Sequence, residues 1–333
     1  MDISVLILFF NRPEVLKPVF DEVRKAQPAR LFLYQDGPRG ERDIPGIEAC
    51  RKIVEQIDWP CEVHRMFQEK NYGCDPSEFI SQRWAFSQVD KCIVLEDDDV
   101  PTQSFFRFCK EMLDRYAHDE RIAMISGFNE DEVTPDCEDS YFFTSTFAIW
   151  GWASWRRVVD KWEGDYAFLR DKQAMKRLQS LVRQRGYRKD FLPMCSEHQQ
   201  SGKEYYESIF WASMLLNSGL AIMPSKNLVN NLGLSDNSTH FCGSIQTTPK
   251  AYRRIFTMKR YELDFPLRHP RYIIENIDYK ERLYKTNAWG HPFIKIGRSM
   301  EELLLNLRYG NFSIITKAVK RRVNKWLGKD RHV

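Results

Sequence analysis

The sequence predicts an α/β protein with a mostly parallel sheet covered by helices. Short aliphatic runs alternate with longer segments in which apolar residues recur every three or four positions, the pattern of strand–helix units. The first run, 3–10, is apolar almost throughout, as expected of a strand buried on both faces. The chain has 333 residues, 43% hydrophobic and 29% charged, which excludes a disordered or fibrous protein and suffices for a full core.

The predicted strands and helices follow one another in order. The second strand ends in the turn Asp36-Gly37-Pro38, and Pro18 is able to bend the first helix. We predict strands over 3–10, 30–34, 61–67, 92–95 and 122–125, and helices over 13–26, 44–57, 77–89 and 103–116. Helices between consecutive strands cover both faces of a parallel sheet, and such sheets bind ligands beyond the carboxyl ends of their strands.

Charge is distributed unevenly along the chain. The net charge is +4, but the segment 291–333 alone carries +7, so the preceding part is slightly acidic. Two helices predicted over 301–307 and 314–327 surround apolar stripes with basic residues. This pattern suits an anionic membrane surface, and a helix packed on the body with a solvated basic face is the equal alternative. No nucleic-acid-binding motif is recognisable, so we expect no nucleic-acid partner.

The sequence shows no sign of export. The longest apolar run near the start has six residues, whereas a membrane-spanning helix needs about twenty. The first residues carry no basic region, so we expect no signal peptide and a cytoplasmic protein. Because of the basic tail, a peripheral location at the inner face of the membrane is the alternative. The eight cysteines lack metal-site spacing and are expected to be reduced.

Four consecutive carboxylates, Glu96 to Asp99, directly follow the fourth predicted strand. Mg²⁺ and Mn²⁺ prefer such oxygen ligands, often together with a substrate phosphate, and the metal neutralises charge on a leaving diphosphate. A solvated acidic turn is the alternative. Arg12 and Asp36 also follow strand ends, so we expect these side chains to meet at one edge of the sheet.

Several ordered motifs resemble nucleotide-sugar-dependent glycosyltransferases of the GT-A fold, above all N-acetylglucosaminyltransferase I and related bacterial proteins. The central one is Ile93-Val94-Leu95-Glu96-Asp97-Asp98, followed by 104–108. The other matching segments are 10–13, 34–37, 81–86, 124–129, 149–155, 227–233 and 239–240. The resemblance covers roughly 3–242. It implies a GT-A domain over 1–250, with a nucleotide-binding half of about 1–130 and an acceptor-side half of 131–250, before a basic helical extension over 251–333.

The resemblance also implies roles for individual residues. The position of Asp98 binds the metal. Independently of the resemblance, His240 is a candidate ligand of the metal or the diphosphate, because neutral imidazole binds Mn²⁺, and a structural histidine is the alternative. Glu96 and Asp97 match contacts to the nucleoside.

Arg12 matches a position at the phosphates and Asp36 one at the base, for which a plain Asp-Gly turn is the alternative. Arg83 is a further candidate for the donor site. Lys70 is a candidate phosphate contact, with a solvated loop as the equal alternative.

The catalytic base is expected at Glu207, where the family usually has an aspartate. A glutamate performs the same proton abstraction with a reach about one methylene longer. Glu204 and Glu197 are neighbouring alternatives, and a merely solvent-facing Glu207 is another. Trp150-Gly151-Trp152 suits either a sugar platform or the core.

Together these features predict an inverting glycosyltransferase. It would use Mn²⁺ or Mg²⁺ and a nucleotide diphosphate sugar, UDP-linked by preference, to glycosylate a hydroxyl of a growing cell-surface glycan, free or lipid-linked. A nucleotidylyltransferase making an activated sugar is an alternative, although Asn11-Arg12-Pro13 is not the glycine-rich loop that such enzymes carry. A non-catalytic glycan- or membrane-binding protein that keeps the fold is the other.

Overall fold

A computed structural model describes residues 1–146, 148–233 and 245–326 of the chain. Its strands are β1 (Ser4–Phe9), β2 (Arg30–Gln35), β3 (Glu62–Phe67), β4 (Lys91–Glu96), β5 (Asp99–Pro101), β6 (Ile122–Ser126), β7 (Tyr141–Thr144), β8 (Trp152–Trp155), β9 (Leu220–Pro224) and β10 (Val229–Asn231). Eight of them form one sheet in the order β3-β2-β1-β4-β8-β6-β9-β7, and β5 pairs with β10 in a small second sheet.

Helices flank this sheet. They are α1 (Pro13–Ala26), α2 (Ile44–Val54), α3 (Cys74–Gln88), α4 (Gln103–Arg115), α5 (Arg156–Val159), α6 (Lys172–Leu181), α7 (Arg185–Ser201), α8 (Tyr206–Leu216), α9 (Lys250–Thr257), α10 (Ile277–Thr286), α11 (Pro292–Arg308) and α12 (Phe312–Trp326). No helix in the described ranges is both long enough and apolar enough to span a bilayer.

The sheet is mostly parallel and flanked by helices, which confirms the predicted α/β fold class. β1 lies between β2 and β4 and runs parallel to both, with Val5 opposite Leu31 and Ile93. All six residues of β1 are buried, because helices cover both faces of the sheet. β8 is antiparallel to its neighbours β4 and β6, and β7 is antiparallel to β9.

The predicted elements of the first half are present, with shifted ends. α1 has the predicted bounds and contains Pro18. α3 begins at Cys74, three residues before the prediction, because Gly73 adopts a φ of 88° and turns the chain into the helix. α2 ends at Val54 rather than at residue 57. These shifts affect helix ends only. The motif residues therefore still follow the ends of their predicted strands.

The tryptophan motif divides between the core and a backbone contact. Trp152 is 1% exposed and packs on Phe86, Tyr206 and Phe210, so it belongs to the core. Gly151 has a φ of 65°, which favours glycine. Its N–H is directed at the acidic segment that follows β4.

The chain after residue 250 packs against the sheet domain through β7. The rings of Phe142 and Tyr279 lie 4.9 Å apart, and Phe143 and Glu275 form a parallel β-bridge. The helices α9 to α12 confirm a helical extension, and α11 begins nine residues before the predicted stripe at 301.

Candidate active site

A cavity of about 720 Å³ opens at the carboxyl edge of β1, β2 and β4. Parallel strands end at the same edge, so the segments that follow them share its wall. The polar and charged residues lining it are Asn11, Arg12, Glu14, Tyr34, Asp36, Arg39, Asp43, Asn71, Cys74, Ser77, Glu78, Glu96 and Asp97. Four of the residues expected at the donor site therefore lie on one surface.

Arg12 is the cation closest to the acidic segment. It is the residue before the first turn of α1, and its Nη2 contacts Asp97 and lies 2.9 Å from Asp98 Oδ2. Its side chain is 20% exposed, whereas those of Asp97 and Asp98 are almost completely covered. Burial raises the pKa of Asp97 to about 6, and the charge of Arg12 opposes that rise. The guanidinium thus neutralises carboxylates that burial would otherwise penalise.

Asp98 is held from a second side by β10. Asn231 Nδ2 donates to Asp98 Oδ1 at 2.9 Å and to Asp99 Oδ1 at 3.2 Å. The register of the small sheet, with Asn231 opposite Asp99, sets this contact. Gly233 follows so closely that a Cβ there would overlap Asp98 Oδ2. Both oxygens of Asp98 therefore accept hydrogen bonds, and the chain passes tightly over them.

Asp99 fixes the loop before β8. Its side chain is buried, and its Oδ2 accepts a hydrogen bond from the backbone N–H of Gly151 at 2.8 Å. Burial, followed by the charge of Asp98, raises the pKa of Asp99 well above its usual range. Asp99 thus ties the tryptophan motif to the acidic segment instead of facing the cavity.

Asp36 organises the loop that closes one side of the cavity. Its carboxylate accepts hydrogen bonds from Asn71 Nδ2 at 2.8 Å, from the N–H of Tyr72 at 2.9 Å and from the N–H of Gly73 at 3.0 Å. These three donors hold the loop 71–73 against the end of β2. Asp36 lines the cavity, and its contact with a nucleobase stays a prediction.

A second acidic group lies beside the cavity. Carboxylate oxygens of Asp75, Glu78 and Glu207 come within 4.8 Å of one another, which is close enough for all three to hold one metal ion. Glu78 is 5% exposed, and its Oε2 has no hydrogen-bond partner within the described part of the chain. Burial, followed by the charges of Glu96 and Glu207, raises the pKa of Glu78 well above its usual range. Such a carboxyl group is destabilised as an anion unless a cation or a proton accompanies it.

Glu96 connects the two acidic groups. It is half-buried at the end of β4 and lines the cavity beside Asp97. Burial, followed by the charges of Asp99 and Asp98, raises the pKa of Glu96 well above its usual range, and the charge of Glu207 adds to this rise. The cavity therefore has one continuous wall that favours protons, cations or hydrogen-bond donors.

Four of the predicted site residues that the structure describes are not part of the cavity lining. Asp98 and Glu207 lie next to it, where Asp98 contacts Arg12 and the Glu207 carboxylate lies within 4.8 Å of that of Glu78.

Arg83 and Lys70 point elsewhere. Arg83 is exposed and donates from Nη1 to the carbonyl of Val159 at 3.0 Å. Lys70 is also exposed, with Nζ 5.4 Å from the ring centre of Tyr72. Neither side chain is part of the cavity lining. His240 lies outside the described residues.

The sequence reasoning missed several residues that line the cavity. Arg39 lies over the ring of Phe10, 5.0 Å from its centre, and pairs with Asp43, which also accepts from Asn11 Nδ2 at 2.8 Å. Burial raises the pKa of Tyr34 to about 12, so its hydroxyl keeps its proton. The sequence feature that could have revealed Arg39 is its position directly after the Asp36-Gly37-Pro38 turn, at the end of a predicted strand. Glu78, inside a helix, carried no such signal.

Comparison with solved structures finds likenesses at low sequence identity. No protein-family model matches the chain, and no curated protein matches its sequence. One similar solved structure is mouse xyloside xylosyltransferase 1 in its apo form, with 12% identity and a TM-score of 0.27 over 39% of this chain and 54% of that chain. Another is 4-diphosphocytidyl-2C-methyl-D-erythritol synthase from Anaerococcus prevotii, with 10% identity and a TM-score of 0.28 over 52% of this chain and 77% of that chain. The match spans about half of the xylosyltransferase.

Proposed function

We propose that the chain is a glycosyltransferase that uses a nucleotide diphosphate sugar. One observation carries the proposal: Arg12, which lines a strand-end cavity of about 720 Å³ together with Asp97, also contacts the neighbouring carboxylate Asp98. A nucleoside diphosphate needs a planar cation for its phosphates, and oxygen ligands for the metal that accompanies it. This edge of the sheet supplies both.

Arg12 is proposed to bind the diphosphate. Its fork of N–H donors matches phosphate oxygens as well as it matches the carboxylates that it now contacts. Glu96 and Asp97 are proposed to contact the nucleoside, and Asp36 the base, with uridine as the preferred nucleoside. The loop 71–73 that Asp36 anchors would then form part of the base pocket.

A divalent cation fits the chemistry of the acidic part of this wall, which offers hard oxygen donors. Among them is Glu78 Oε2, which has no hydrogen-bond partner among the described residues. We propose Asp98 as the ligand, once the phosphates draw Arg12 away from its Oδ2. The triad of Asp75, Glu78 and Glu207 is the competing place for the ion. When bound, the cation would neutralise the negative charge of the departing diphosphate.

Glu207 is proposed as the base that activates the acceptor. It lies in the first turn of α8, and its carboxylate is within 4.8 Å of those of Glu78 and Asp75. Its carboxylate would take the proton of an acceptor hydroxyl while the hydroxyl oxygen bonds to the anomeric carbon. The bond from that carbon to the diphosphate breaks at the opposite face, and its electron pair leaves with the diphosphate, so the configuration inverts. A hydroxyl of a growing cell-surface glycan, free or lipid-linked, is the proposed acceptor.

The donor class is tested by calorimetric binding of UDP, GDP and CDP, each with and without Mn²⁺. Metal-dependent binding of one nucleotide supports the proposal, and absence of binding by folded protein contradicts it. Glu207→Gln should retain nucleotide binding and lose transfer, whereas Glu204→Gln, its neighbour in sequence, should retain both. Full activity in Glu207→Gln would exclude Glu207 as the base.

The place of the metal is tested with Mn²⁺ by paramagnetic resonance, which reads binding without turnover. Asp98→Asn should weaken Mn²⁺ binding in the presence of nucleotide, and Glu78→Gln should not. The reverse result would move the ion to the triad and remove the proposed role of Asp98. Release of pyrophosphate from a nucleoside triphosphate and a sugar phosphate would replace the proposal with nucleotidyl transfer. Binding without any turnover would favour a non-catalytic protein.

A further inference from the structure

The helix α11 carries a continuous apolar row that no described residue covers. Six side chains are exposed: Phe293 (85%), Ile296 (60%), Met300 (52%), Leu303 (37%), Leu304 (60%) and Leu307 (44%). At about 100° per residue, these positions fall within an arc of about 100° on the helix surface. Exposed apolar residues scattered singly are ordinary, but a row along one face is typical of an interaction surface.

The other side of α11 holds the helix against the protein. Arg298 Nη1 donates to Tyr252 Oη at 2.5 Å, and its Nη2 contacts the carbonyl of Thr286. Glu301 accepts a hydrogen bond from the N–H of Lys250 at 2.9 Å. Because these polar contacts anchor one face, the apolar row must point away from α9 and α10. The row is therefore presented outward by an anchored helix.

Basic side chains accompany this surface. Lys295 and Arg308 are exposed on α11, and Lys320 is exposed on α12. α12 adds the exposed apolar residues Phe312 and Val323. The segment 291–333 that contains both helices carries +7, with three acidic residues in all. This charge opposes pairing with a second copy of the same surface and complements a negatively charged one.

We propose that α11 and α12 bind the surface of an anionic lipid bilayer. Apolar side chains on one face enter the boundary of the acyl chains, while basic side chains remain at the charged headgroups, as in helices that lie in a membrane interface. The inference goes beyond the proposed transferase function and does not depend on it, because lipid binding needs neither donor nor acceptor. If both hold, the cavity would work close to a membrane, where lipid-linked acceptors are found.

Sedimentation with vesicles tests the proposal on the full chain. We compare vesicles of phosphatidylcholine alone with vesicles that also contain phosphatidylglycerol. The protein should bind the anionic vesicles at least about tenfold more strongly, and added salt should weaken that binding. Phe293→Ser combined with Ile296→Ser should reduce binding by about tenfold or more, since each loses a membrane-facing apolar side chain.

The matched control is Val133→Ser combined with Leu181→Ser. Both of these residues are apolar and exposed, at 45% and 52%, but lie outside α11 and α12. This control should bind vesicles as the unaltered protein does, and thermal unfolding checks that both variants fold. Equal loss in both double variants would overturn the proposal, as would salt-independent binding or failure of the unaltered protein to bind anionic vesicles. Self-association that requires Phe293 and Ile296, without vesicle binding, would assign the surface to a second copy instead.

Discussion

Removal of the Arg12 side chain measures how strongly this guanidinium stabilises the acidic edge. In Arg12→Ala, Asp97 and Asp98 would stay buried, at 4% and 6% exposure, without their cation. Removal of one partner from a buried ion pair costs about 3–5 kcal/mol. The Arg12 side chain is 20% exposed, so water reaches the pair and the lower end of that range applies. We expect a loss of about 3 kcal/mol in the free energy of unfolding near pH 8.

The loss should depend on pH in a defined direction. Burial raises the pKa of Asp97 to about 6 although Arg12 opposes it, so the pKa of Asp97 rises further in Arg12→Ala. A buried acid whose pKa is raised on folding lowers the stability of the protein once it ionises. This loss begins as the pH rises above the pKa of the acid in the unfolded chain, about 4, and is complete above its pKa in the folded protein. At a pH below its pKa in the unfolded chain, the acid is protonated in both states and does not change the free energy of unfolding. The deficit of Arg12→Ala should therefore be smallest at low pH and largest above neutrality.

Urea unfolding near pH 5 and near pH 8 measures this deficit. Arg24→Ala is the control, because Arg24 pairs with Asp58 in the same way but with both side chains exposed. Its stability should stay close to that of the unaltered protein at both pH values, since exposed pairs contribute little. If Arg12→Ala unfolded at the same urea concentration as the unaltered protein near pH 8, or had equal deficits at both pH values, the electrostatic account of this edge would be refuted.

Four further substitutions test other features by the same unfolding measurement. Glu130→Gln should stabilise the protein by up to about 3 kcal/mol well above pH 7 and not near pH 4, because burial raises the pKa of Glu130 to about 7; a gain independent of pH would contradict this. Glu78→Gln should likewise stabilise at alkaline rather than acidic pH, and a loss of stability there would show that the Glu78 carboxylate is compensated. Gly151→Ala should cost about 2 kcal/mol, because its φ is 65° and the new methyl group would lie 2.9 Å from Val229, whereas Gly297→Ala, in open space on α11, should stabilise by about 0.5–1 kcal/mol.

The part of the fold that the sequence predicts well is the part governed by local periodicity. β1 to β4 and α1 to α4 are built from aliphatic strands and amphipathic helices, so their patterns are legible in order. β8 is different: all four of its residues are buried, and it inserts antiparallel between β4 and β6 from far along the chain. Such a pairing depends on long-range contacts that no local pattern encodes.

The site residues likewise fall into those that local sequence patterns predict and those that only the fold brings together. Arg12, Asp36 and Asp97 share one cavity because parallel strands end at one edge, which a sequence with legible strands reveals. The sequence did not predict Glu78 as a site residue, because it lies within an ordinary predicted helix. The fold brings it next to Glu207, which is distant in the chain. Arg83 sits in a motif of the right composition, but its side chain extends towards Val159, and sequence spacing does not specify that direction.

The charge balance of the cavity predicts that the proposed nucleotide binding requires a cation. Six of the lining residues are acidic and two are basic. Arg39 is paired with Asp43, and Arg12 is paired with Asp97. The positive charge of each arginine is therefore already compensated before a ligand binds. A diphosphate that draws Arg12 to itself leaves Asp97 and Asp98 uncompensated, and it brings more negative charge to the same wall. A divalent cation removes both penalties at once, because it can bind the carboxylates and the phosphates together. Binding of the nucleotide and the metal should therefore be mutually cooperative, each raising the affinity of the other by the same factor.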